Sequence, residues 1–167
     1  MLLLVAVAAL AGVLYVKNTG LRGQPEPGAF ETRVARAVRG LAIPSDVKAK
    51  ANPLGTSEDA FRKGMEHFAR YCAMCHANDG SGRDTPFGKG LFPKPPDLRG
   101  EATQSLTDGE VFYIIENGVR FTGMPAFGTG SADPAGETLA WQLVLFIRHL
   151  PRITAEEINR MKERNPL

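Results

Sequence analysis

The sequence predicts an all-α fold. Three threonines stand three residues ahead of an acidic residue (Thr56/Asp59, Thr107/Glu110 and Thr154/Glu157), each opening a helically periodic stretch. No segment alternates apolar and polar residues as a half-buried strand would, and no internal repeat is present. The length of 167 residues suits one domain with extensions.

The elements follow in order. Met1–Val16 (MLLLVAVAALAGVLYV) carries no charged side chain. As a helix it covers about 24 Å, against roughly 30 Å of bilayer hydrocarbon. The favoured reading of residues 1–17 is a membrane anchor whose flanks help it span. A secretory signal with Ala9-Leu10-Ala11 as its cleavage box is the second, although no basic n-region precedes it. A buried core helix is the third, disfavoured because no polar face interrupts the run. Lys17 and Arg22 lie on the C-terminal side, which the positive-inside rule assigns to the cytoplasm.

Residues 18–55 form a Gly/Pro linker and a short amphipathic helix. Phe30, Val34, Val38 and Leu41 make its stripe, Arg33, Arg36 and Arg39 occupy other faces, and Pro44 ends it. Docking onto the domain's own surface is the favoured use of that stripe; contact with anionic lipid or an acidic partner is the sharper alternative.

The central domain spans 56–150. Its first helix carries Phe61, Met65 and Phe68 in one stripe and runs into YCAMCHANDG. Ala77 to Gly100 reads as loop, long enough to imply that it wraps something. A helix from Thr107 contains Val111, Ile114 and Ile115 and closes at Gly118. Asp133 and Pro134 start a further helix through LAWQLVLFIRHL. Residues 151–167 make a short, charged helical extension.

Charge excludes a bulk attraction to nucleic acid: 20 Lys/Arg face 18 Asp/Glu. It is unevenly spread, with seven basic against three acidic residues in 17–55 and nine against twelve in 56–150.

Cys72 and Cys75 are the chain's two cysteines, and His76 follows directly. A thioredoxin-type disulfide needs a strand-to-helix turn in a βαβ unit, and this pair ends a helix in a strandless domain. Structural zinc needs four ligands, and only three are here; His67 and His149 lack ligand spacing. Cys-x-x-Cys-His is the attachment signature of c-type haem, which uses every one of these groups. Each thiol can form a thioether to a haem vinyl group, while His76 can turn its imidazole to the iron. Apolar residues such as Leu91, Phe112, Ile115, Phe121, Phe127 and Trp141 are then candidates for the pocket.

A second axial ligand decides function. Methionine closes the site and raises the reduction potential, whereas an open position permits ligand or peroxide chemistry. Met65 sits on a core stripe, Met74 lies between the cysteines, and Met1 and Met161 belong to the ends. Met124, in TGMPAFG, has no helical stripe to explain it, and Pro125 would fix its direction. His67 is the alternative ligand.

Over residues 57–150 the sequence resembles the bacterial monohaem class I c-type cytochromes. Gly64, Phe68 and Cys72 match that family's Gly-x-x-x-aromatic-x-x-x-Cys helix, and Phe146 resembles the aromatic on the helix it crosses, with Trp141 as an addition to the seam. Pro96 and Leu98 look like its Pro-x-Leu, and DGEVFYIIENGVRFTGMPAF is similar to its third helix and methionine loop. The resemblance implies a class I cytochrome c-like fold around one covalent haem c, and a Pro96 carbonyl that accepts a hydrogen bond from His76. It implies iron ligated by His76 and Met124, and a one-electron carrier rather than an enzyme. It also implies redox protein partners at a bacterial inner membrane, with the haem domain on the periplasmic side. A permanent monohaem subunit of a respiratory or photosynthetic complex is the alternative, and a haem enzyme or gas sensor with a labile sixth ligand is a further one.

Overall fold

The computed structural model describes residues 1–20, 26–82, 84–128 and 134–166, and among them the chain is helical with no strand. Helix α1 (Leu2–Thr19) exposes its apolar side chains on every side. Among the described residues, however, no helix is long and apolar enough to cross a membrane. The span expected over residues 1–17 is therefore not supported. The physical reason is length: the apolar stretch stops at Val16, and the helix ends in Lys17, Asn18 and Thr19.

Helix α2 (Ala29–Ala42) forms as its periodicity predicts, but its stripe does not dock on the domain. Phe30 is 81% and Leu41 86% exposed, with Val34 and Val38 also open. The C-terminal end of the helix is held. Ile43 is buried, and the Lys48 ammonium donates to the Gly40 carbonyl at 2.6 Å. Pro44 does end α2, but one further turn follows, α3 (Ser45–Lys48), and it packs on the central domain.

Helix α4 (Glu58–His67) is capped by Ser57, whose hydroxyl accepts from the Ala60 amide at 3.2 Å. The expected cap, Thr56, is one residue early. Asp59 instead pairs with Arg62 and Lys63 on the next turn. The helix continues past His67 through one π turn, Phe68–Cys72, into α5 (Ala73–His76).

A short helix α6 (Glu101–Gln104) precedes α7 (Asp108–Asn117), whose Thr107/Glu110 capping box is closed in both directions. Helix α8 (Pro134–His149) crosses α4 closely; Asp133, expected to start it, lies outside the described residues. The crossing is at Gly64, where an added Cβ would lie 2.1 Å from the Gln142 carbonyl oxygen and 3.3 Å from Phe146 Cβ. Phe146 is fully buried there between Phe61 and Phe68, with ring centroids 5.8 and 5.1 Å away. Trp141 does not join this seam. It stacks on Phe112 of α7 at 4.2 Å, which makes both residues core. Arg148 of α8 then holds the α6–α7 junction, donating to Asp108 at 2.8 Å and to the Gln104 carbonyl at 3.0 Å.

The C-terminal extension is part of this core. Helix α9 (Ala155–Lys162), opened by a complete Thr154/Glu157 capping box, buries Met161 to 2% exposure. Asn78, two residues past His76, donates to the Asn165 carbonyl at 2.9 Å. Burial pushes the Glu157 carboxyl up, but hydrogen bonds from Thr154 and His149 outweigh it and hold the group below its ordinary value.

Two outcomes follow. Gly64→Ala must push α4 off α8, at a cost of about 1–3 kcal/mol that exceeds alanine's gain of about 1 kcal/mol in helix propensity; calorimetry should record a lower thermal midpoint. Glu157 has a depressed folded pKa, so its contribution is present above the unfolded carboxylate value and is lost as pH falls through the folded one. Stability measured against pH should accordingly fall less steeply on the acid side in Glu157→Gln than in the wild type.

Candidate haem-binding site

The π turn ends on Cys72, the first of the attachment residues, and turns of this type recur at functional positions. It brings Cys72, Cys75 and His76 to the wall of a single cavity. The helix stops at once: Ala77 adopts φ 59°, ψ 160°, a strained conformation for a residue with a Cβ. The chain then folds back, with the Gly82 amide donating to the His76 carbonyl at 2.9 Å and the Leu98 amide to the Gly80 carbonyl at 2.9 Å. Gly82 has φ 74°, and a Cβ there would meet the Pro95 and Pro96 carbonyl oxygens within 3 Å. Glycine at this position is what lets the Pro96–Leu98 segment close over His76.

Opposite in sequence, the loop after α7 is equally tight. Gly118 has φ 65°, and a Cβ on it would strike the Met124 carbonyl and Pro125. The Val119 amide donates to the Met124 carbonyl at 3.1 Å, and the Met124 amide donates to the Thr122 hydroxyl at 3.1 Å. These bonds hold the Met124 backbone, while Pro125 is exposed.

All six residues expected at the site, Cys72, Cys75, His76, Pro96, Leu98 and Met124, line this one cavity of about 1160 Å³, mouth included. The remaining wall is mostly apolar, with Leu91, Ile115 and Phe127 among its members. The other pocket candidates fall elsewhere: Phe112 and Trp141 are core, and Phe121 is 94% exposed. Met65 and Met161 are core, while Met74 is partly exposed and off the cavity wall. His67 is not on it either; its ring stacks beside Tyr71, and its hydrogen-bond partner is Gln142 on α8.

The electrostatics suit a haem. Burial pushes the His76 imidazole down to about 4, with the Pro96 carbonyl acting the other way. The ring is thus neutral at pH 7, the form that ligates metal. Its Nδ1 is buried and closes no hydrogen bond of full geometry, so Pro96 acts on the ring without completing the expected bond. Burial, then Cys75, pushes the Cys72 thiol up to about 12, and burial raises Cys75 as well. Disulfide-exchange cysteines have depressed values, the opposite direction to that of both thiols here. Among the described residues, no group of three or more His, Cys, Asp or Glu side chains converges to hold a metal ion. The donor set fits a porphyrin: two neutral thiols beside a neutral imidazole, and a mostly apolar wall bearing one thioether.

Three contributors were missed from the sequence. Thr122, two residues before Met124, carries a side chain–backbone turn that its position could have signalled. Arg39 and Lys94 also line the cavity, and no spacing rule connects them to it.

A family model described as cytochrome c oxidase, cbb3-type, subunit III matches residues 59–147, just over half of the chain. No curated protein matches it. The match covers α4 through most of α8, the elements that build the cavity. With both thiols and His76 on one wall of that cavity, the chain belongs to this family of monohaem c-type cytochromes and carries covalently bound haem c.

Proposed function

We propose that the protein transfers single electrons through one haem c whose iron is ligated by His76 and Met124. The observation that carries this is the presence of both residues, with both cysteine thiols, on the wall of one largely apolar cavity. When bound, the haem supplies reversible one-electron exchange at its iron. Cys72 and Cys75 staple it to the helix end. His76 would hold the iron through Nε2, and the Pro96 carbonyl, which acts on the ring, would orient it. Met124 would offer its thioether sulfur to the iron, which would raise the potential and deny the metal to exogenous ligands. Leu98, Ile115 and Phe127 exclude water. With the iron held from both sides, the protein acts as an electron carrier.

The redox partners are proteins at the outer, periplasmic face of a bacterial inner membrane. The uninterrupted apolar surface of α1 and the open stripe of α2 support association with that membrane. A second reading, a permanent subunit of a respiratory complex, is favoured by the description of the matching family, which names an oxidase subunit. Detergent extraction and size analysis separate the two: a lone monohaem species supports the carrier, and co-migrating subunits support the complex.

Met124→Ala should abolish the far-red sulfur–iron absorption band and open the iron to carbon monoxide. The midpoint potential should fall by on the order of 0.1 V, within the roughly 0.8 V that axial ligands govern. An unchanged band would remove Met124 from the site, and carbon monoxide binding by the wild type would favour a gas sensor or haem enzyme.

A further inference from the structure

The cavity contains a charge pattern that the six expected residues do not explain. Among its described lining residues, the charged side chains are Arg39 and Lys94, both cationic. They come from different parts of the chain, and Arg39 belongs to α2, outside the residues matched by the family. The anchoring of the α2 end explains how it gets there. Ile43 is 3% exposed and the Lys48 ammonium holds the Gly40 carbonyl, which fixes the turn bearing Arg39 while the rest of α2 stays open.

The two cations are not equivalent. Lys94 pairs with Glu26 at 3.3 Å. Arg39 closes no hydrogen bond or ion pair among the described residues, although it is partly buried. Burial lowers its pKa, Arg36 adds to that, and Glu110 acts in the opposite sense. A guanidinium partly withdrawn from water beside an apolar cavity is costly without an anion to face. The group that the cavity takes provides one, since haem is an apolar macrocycle with two propionate carboxylates.

We propose that Arg39 is a haem-propionate ligand, a carboxylate-binding residue contributed by the N-terminal helix α2 rather than by the residues that the family model matches. Its planar fork matches a carboxylate in a bidentate pair, which the single ammonium of Lys94 cannot do. The pair makes α2 part of the haem site and couples its position to the loaded state. A cation so placed also favours the reduced, less positive iron, and so raises the potential. This inference rests on the bound haem c and is independent of which residue provides the sixth ligand.

The test uses the full-length, haem-loaded protein and three variants: Arg39→Gln, Arg39→Lys and, as a control for charge alone, Arg33→Gln on the exposed face of α2. Resonance Raman spectra report the propionate bending mode, and potentiometric titration reports the midpoint. Arg39→Gln should shift the bending mode and lower the midpoint. Arg39→Lys should shift the mode while recovering most of the midpoint, and Arg33→Gln should change neither. A bending mode in Arg39→Gln identical to the wild type, or a midpoint loss in Arg33→Gln equal to that in Arg39→Gln, would overturn the proposal. Should Arg39→Gln fail to mature, the mode in Arg39→Lys decides, because that variant keeps the charge and loses only the fork. The far-red band, read in the same samples, reports Met124 separately.

Discussion

The rest of the structure depends on the close crossing of α4 and α8 at Gly64. There is no room at that point for even one methyl group, because the Gln142 carbonyl occupies the space a Cβ would need. The closeness seats Phe146 between Phe61 and Phe68 and sets the axis of α4. The π turn and α5 then extend from a fixed origin, so the direction in which Cys72, Cys75 and His76 face is decided two turns earlier. The same α8 anchors α7 through Trp141 and Phe112 and through Arg148, and the Met124 loop starts where α7 stops. One steric constraint thus orients both walls of the cavity. A haem held between them would complete a core that the long 77–100 loop only partly closes on its own.

Much of this was legible in the sequence because it is local. The Thr107 and Thr154 boxes, the α2 periodicity and the Cys-x-x-Cys-His run are each set by residues within four positions of one another, and the structure places the helix starts accordingly. The Thr56 cap failed for an equally local reason: Ser57 is also a good N-cap, and it is the one with extended backbone and an amide within reach. Tertiary facts were harder to read. Trp141 looked like a seam residue by position on α8, but its ring faces α7. Met161 looked like part of a charged tail, yet the single apolar face of α9 buries it. The convergence of Arg39 and Lys94 on the cavity depends on how the segment 43–48 packs, which no periodicity encodes.

The two extensions contribute in different ways. The tail is structural: α9 closes over the loop that follows His76 and joins it through Asn78 and Asn165. The N-terminal collar is divided. Its end near Ile43 is bound to the domain, whereas the stripe from Phe30 to Leu41 and the apolar side chains of α1 up to Val16 remain open. The cytochrome core is therefore the packed part, and the collar combines a cavity contact with an unfilled surface. That division is consistent with a carrier held near its partners, where small transient contacts suffice for electron exchange.

The central claim is that a single haem lies between His76 and Met124. Proton NMR of the ferrous, haem-loaded protein with labelled methionine methyl groups tests it most directly, since a methyl over a haem face is carried far upfield by the ring current. Of the chain's five methionines, the account predicts that one methyl is displaced and that Met124→Leu removes that signal alone. Methionine methyls confined to their ordinary range, or a displaced signal that survives in Met124→Leu, would contradict it.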